Sequence, residues 1–242
     1  MVMIFGNVIM AGQFRNEKLR YVISYKWGLI HKDAGEATLT LHRNGEHYNL
    51  MLAAKTKPWA DKFYRVRDTL LSKVRVSDLR PVSYTKITHE KDKNDRDEVI
   101  YSSYRTVTKG EVTRYRTRDG KLNITKNSLT GQGPVYDMLS VFYYLRTLDY
   151  DKLAKNHVYK ATIFSGKKSE TITIRSMGKE TIKLKNKTRR EAYHIRFKFT
   201  QKGGRKSSDD MDTWISTDSQ HIPLYLVGKL PIGEVRAYYL GA

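Results

Sequence analysis

Asp137, Ser140, Tyr144 and Arg146 are the most reactive-looking group of side chains in the sequence, and they sit within eighteen residues, Gly133 to Tyr150. On a helix, Asp137, Ser140 and Tyr144 at i, i+3 and i+7 form one polar stripe. Facing a cavity, the stripe would hold a polar headgroup; facing water, it would bind nothing. Asp137, near the helix start, would in the simplest reading satisfy first-turn amides. Arg146 falls on the other side, beside Leu139 and Phe142. A guanidinium there meets a carboxylate, with Asp68 and Asp218 as candidates, or snorkels past the helix end, or complements the helix dipole as a last-turn cation.

Patterns for established chemistries are missing. The histidines (His31, His42, His47, His89, His157, His194 and His221) show no HxxxH or HxH spacing, which argues against a metal site. The absence of cysteine excludes disulfides, zinc-thiolate sites and thiol catalysis. Neither a glycine-rich phosphate loop nor a GxSxG elbow is present. Carboxylate pairs for glycoside hydrolysis are spatial, and no local apolar cluster suggests one. The sequence thus points to no cofactor and to binding rather than catalysis. Among the aromatic residues, Tyr25, Trp27, Tyr144 and Trp214 either line a concave surface for lipid or sugar or pack the core.

The elements that would position these residues are mostly strands. Tyr21, Ile23, Tyr25 and Trp27 alternate with Val22, Ser24 and Lys26; Ala37, Leu39 and Leu41 repeat the pattern, and Asn44-Gly45 marks a hairpin before Tyr48, Leu50 and Leu52. Pro58 to Tyr64 reads as a short helix. The charged run Glu90 to Glu98 and the basic turn Lys202 to Lys206 read as hairpin tips, and Met177-Gly178 as a turn. Against this background Gly133 to Tyr150 is the one convincing amphipathic helix. Val135, Met138, Leu139, Phe142 and Leu145 share its apolar face, with Asp137, Ser140, Tyr144 and Thr147 opposite. About a dozen strands with one apolar face each make a sheet that must curl. The predicted fold is mainly β: a single large, strongly curved antiparallel sheet or incomplete barrel with one central amphipathic helix, forming one domain over residues 13–242.

Lys and Arg outnumber Asp and Glu by 45 to 25, a net charge of +20. That field attracts any polyanion, but the cations are spread along the strands, and no helix-turn-helix, zinc-finger or RNP signature makes nucleic acid a partner. No apolar run is long enough for a transmembrane helix. Residues 1–12, apolar and ending in Ala11-Gly12, read either as the back half of a signal peptide whose basic front is missing or as an N-terminal strand.

Taken together and in order, Tyr21 to Gly35, Val66-Arg67-Asp68, Leu79-Arg80-Pro81, Asp137 to Arg146 and Trp214 to Pro223 resemble the domain of unknown function 3108 family, from about residue 20 onward. The resemblance implies export from a Gram-negative cell, with the periplasm as destination, and favours the signal-peptide reading of residues 1–12. It supplies no catalytic residues, and the strong basic charge departs from typical members. Three functions are then expected in order: an envelope protein holding a lipid or glycan in its curved sheet; a basic module on an anionic polymer; and a hydrolase of envelope polymers.

Overall fold

The computed structural model describes residues 12, 14–90, 93–201, 210–229 and 233–242, and of Trp27 and Ile30 the backbone alone. The first half comprises β1 (Glu17–Trp27), β2 (Ile30–Asn44), β3 (His47–Thr56), helix α1 (Pro58–Asp61), β4 (Val66–Arg75), β5 (Pro81–Glu90), β6 (Lys93–Tyr104), β7 (Val107–Arg118) and β8 (Lys121–Gln132). The second half comprises β9 (Val135–Asp137), α2 (Ser140–Arg146), α3 (Tyr150–Ala154), β10 (Tyr159–Phe164), β11 (Ser169–Lys183), β12 (Arg189–Gln201), β13 (Met211–Ser216), β14 (Pro223–Lys229) and β15 (Glu234–Gly241). Among the described residues, fifteen strands make one sheet, ordered from β8 down to β1 and then from β15 down to β9. β9 and β10 run parallel, and the other neighbours antiparallel.

Accumulated twist brings the two ends of this sheet together in a nearly closed, barrel-like form. Phe164 on β10 stacks on Tyr101 of β6 with ring centroids 5.7 Å apart, and the Thr162 hydroxyl on β10 donates to the Gln132 carbonyl of β8 at 3.4 Å. Glycines create the room: a Cβ on Gly110 would lie 2.8 Å from Phe164 Cδ2, and one on Gly131 2.9 Å from Thr162 Cγ2. Leu19, Leu41, Tyr48, Leu50, Val74, Tyr84 and Val99 fill the interior from the first eight strands, with Ile163, Ile172, Ile195 and Ile215 from the rest.

The helix expected over residues 133–150 is three elements: β9, α2 and α3. Val135–Asp137 are extended and pair with Thr162–Phe164, so the helix begins only after them, at Ser140 with Leu139 as its N-cap. Thr147 leaves helical geometry, and Asp149 restarts it by accepting the Lys152 amide at 3.0 Å. The expected polar face is also revised, since Asp137 and Ser140 are fully buried while Met138 and Phe142 are only partly so. α2 lies inside the sheet, where most of its circumference is covered and a two-faced pattern loses its meaning. Met177-Gly178 is likewise not a turn but a bulge within β11. The Lys202–Lys206 turn lies outside the described residues.

Closure by Phe164 against glycine yields a direct expectation. Gly110→Ala forces a methyl into the ring, and overpacking of this kind costs about 1–3 kcal/mol. Thermal unfolding should show a lowered midpoint for Gly110→Ala and for Gly131→Ala, partly restored in Gly110→Ala by Phe164→Leu. An unchanged midpoint in both would mean that these contacts do not close the sheet.

Candidate functional site

At the end of the barrel where β1 begins, Arg146 is 2% exposed. Its Nη1 and Nη2 donate to the two carboxylate oxygens of Glu17 at 2.5 and 3.1 Å, and Nε and Nη2 to the Gln220 carbonyl at 3.1 and 3.0 Å. Phe14 and Tyr143 place ring centroids 4.8 and 5.2 Å from the guanidinium carbon. The partner is Glu17, not Asp68 or Asp218. Asp68 lies near the other end, where its carboxylate accepts from the His89 amide at 3.2 Å and burial and Glu90 raise its pKa. Asp218 pairs with Arg190 at 2.5 Å and accepts the Gln220 amide at 3.0 Å, so it shapes the turn that presents the Gln220 carbonyl. A cavity of about 630 Å³ opens beside Arg146. With four of its N–H donor contacts already made, the guanidinium has little left for an anion.

His221 belongs to the same knot. It is 3% exposed, donates from Nδ1 to the Arg146 carbonyl at 2.9 Å and sets its ring edge-on to Tyr150 at 4.7 Å. Burial holds its pKa below the ordinary 6.5.

Asp137 is fully spent within its own surroundings. Its carboxylate accepts from the Leu139 and Ser140 amides, both at 2.7 Å, and from Ser72 Oγ at 2.5 Å, while Ser140 Oγ accepts the Asp137 amide at 3.0 Å. Burial raises its pKa. Tyr144 stacks on Tyr136 at 4.4 Å. The stripe read from spacing is therefore a locking device at the start of α2, not the wall of an open site.

The opposite end of the barrel is different. There an apolar cup of about 670 Å³ is lined by Ile23, Tyr25, Gly35, Ala54, Val66 and Val235, and α1 with its following turn adds Trp59, Ala60, Phe63 and Tyr64. Register explains the space. Ile23 pairs with Gly35 and Ala37 with Ala54, so small side chains stand where Leu39, Leu41, Leu50 and Leu52 fill the barrel farther along the same strands. Trp59 is pinned by its Nε1–H to the Asp33 carbonyl at 3.1 Å and covered by Lys32 Nζ at 4.2 Å. Arg67 holds α1 through Asp61, with Nη1 to Oδ1 at 3.1 Å and Nη2 to Oδ2 at 2.6 Å. Of the residues proposed from sequence, Tyr25 lines the cup; Trp27 ends β1 near it, its side chain outside the described residues. The rest of the lining was not singled out, although the apolar and aromatic residues of the basic segment KTKPWADKFYRVR and the alternating small residues of β2 and β3 were its signal.

Trp214 stands on the sheet's other face, in a ladder across β12 to β15. His194 stacks on Trp214 at 4.4 Å, Trp214 on Tyr225 at 4.7 Å and Tyr225 on Tyr238 at 4.5 Å. Neighbouring strands thus cover both faces of the indole, which leaves no face for a sugar. Among the described residues, no group of three or more His, Cys, Asp or Glu is arranged to hold a metal, and no helix is long and apolar enough to cross a membrane.

The family model described as "Protein of unknown function (DUF3108)" matches residues 20–239. The chain belongs to the DUF3108 family. A search of curated proteins found no match. Among solved structures, this DUF3108 protein is similar to the beta-barrel-like protein of domain of unknown function DUF1849 from Brucella abortus, with a TM-score of 0.59, 8% identity and 93% and 95% of the two chains covered. At that identity the likeness concerns the fold alone.

Two measurements check the knot at Arg146. Glu17→Ala strands a buried guanidinium and should cost about 3–5 kcal/mol by denaturant unfolding, whereas Glu17→Leu with Arg146→Met should recover most of that loss. Equal damage from the double and single variants would show that the pair acts by something other than mutual charge compensation. Because the His221 pKa is depressed in the folded state, its contribution is intact above the ordinary value and is lost as pH falls through it toward the folded-state pKa. His221→Asn, which keeps a donor and tolerates the positive φ of 46°, should flatten the fall in stability between about pH 7.5 and 5. An unaltered slope would assign that acid sensitivity to other groups.

Proposed function

We propose that this DUF3108 protein acts in the cell envelope, exported to the periplasm, and holds the apolar part of a lipid or similar amphipathic molecule in the cup at the α1 end of its barrel. The observation that carries this reading is the cup itself. Its volume of about 670 Å³ lies within the roughly 300–1,000 Å³ of small-molecule sites, which are mostly apolar with a few polar groups. The polar side-chain groups in the lining are Thr56 and the Tyr25 and Tyr64 hydroxyls.

Lipid is favoured over glycan because the indole proposed for sugar stacking has both faces taken. A basic module on a polymer is less favoured. The row Arg114, Arg116 and Arg118 on β7 is matched by Asp95 and Asp97 on β6, at 2.5 to 3.3 Å, so those cations are largely answered within the sheet.

Titration with a fluorescent fatty acid tests the reading. Saturable binding is expected, displaced by unlabelled fatty acid and weakened at least about tenfold, or 1.4 kcal/mol, by Ala54→Phe, which fills the cup, provided that circular dichroism shows the sheet intact. Absence of saturable binding, or binding indifferent to Ala54→Phe, would overturn it.

A further inference from the structure

We propose that the α1 end of the barrel is a docking face for an anionic lipid bilayer, placing the mouth of the cup against the membrane. This rests on the lipid-holding reading of the cup, but it is carried by the surface around the mouth. Phe63 is 75% exposed and Leu29, at the tip of the β1–β2 hairpin, fully so. Isolated exposed apolar residues are ordinary; these two stand at the end of the barrel where the cup opens.

Cations surround them. Lys57, Lys62 and Arg65 flank Phe63 in sequence, and none has an ion-pair partner among the described residues. Lys32, also exposed, is held over the Trp59 ring. Of the nearby acids, Asp61 is paired with Arg67, Glu36 with Lys55, Asp33 with Lys185 and Glu234 with Lys26 and Arg236. Glu90, which accepts from the Tyr64 hydroxyl, and the half-buried Asp68 beside it stand against the four cations Lys32, Lys57, Lys62 and Arg65. The face is therefore net cationic, with apolar tips projecting from it. A soluble polyanion would use the cations but leave Leu29 and Phe63 in water. An anionic bilayer answers both, by charge at the headgroups and burial of the tips at the acyl boundary. The apolar cup beneath would then receive a chain without its crossing water.

Vesicle cosedimentation of the full chain tests this, with neutral phosphatidylcholine vesicles set against vesicles containing phosphatidylglycerol. Binding should appear with the anionic vesicles alone and weaken with salt. It should fall by about fivefold for each cation removed in the series Lys57→Gln, Lys62→Gln and Arg65→Gln, and fall again with Leu29→Ser. These four positions are outside the cup lining, so the variants should keep fatty-acid binding, while Ala54→Phe should lose fatty acid and still sediment with vesicles. Equal binding to neutral vesicles, or sedimentation unaffected by the four substitutions, would overturn the proposal. So would retention on heparin with no vesicle binding, which would assign the cations to a polymer. Loss of fatty-acid binding by the wild-type chain with vesicle binding intact would remove the cup reading alone.

Discussion

A guanidinium cannot sit in an apolar interior without its charge being answered, and much of this molecule is arranged around that requirement. Arg146 draws Glu17 from the first strand and the Gln220 carbonyl from the β13–β14 turn, positions 129 and 74 residues away in sequence. Its own carbonyl is taken by His221. One side chain thereby ties the first strand, the enclosed helix and the β13–β14 turn together. Such an arrangement stabilises little in net terms, because desolvation offsets most of the attraction, but it penalises every alternative packing heavily. The opposite end has no such tie, and there the strands carry glycine and alanine instead of leucine.

The molecule is thus divided between a locked end and an open end. Polar groups that looked available in sequence, Asp137, Ser140 and Arg146, are consumed in holding α2. The open volume is instead lined mainly by apolar and aromatic side chains at the α1 end.

The curved sheet was legible because period-two alternation in β1 to β3 and β10 to β12 is strong. β8 was not, since residues 121–128 are exposed on both faces and such a strand has no apolar period to show. The helix was placed correctly as an enclosed element but overextended, because periodicity cannot see the parallel pairing of β9. Glu17 could have been found: it lies on the same alternating face as Leu19, Tyr21 and Ile23, which points inward. The cup was harder to see, for a cavity is written in what is missing from Gly35, Ala37 and Ala54, and small residues read individually as weak strand formers rather than as space.

The sheet's ends meet through Phe164, two glycines and the Thr162 hydroxyl on the Gln132 carbonyl, while among the described residues most of β8 has no strand paired along its outer edge. In a fully hydrogen-bonded ring, strand number and shear together dictate the bore. A seam fastened mainly by side-chain contact relaxes that geometric rule. The diameter of this barrel then answers to its contents, with α2 acting as a mandrel at one end and the small residues Gly35, Ala37 and Ala54 facing inward at the other.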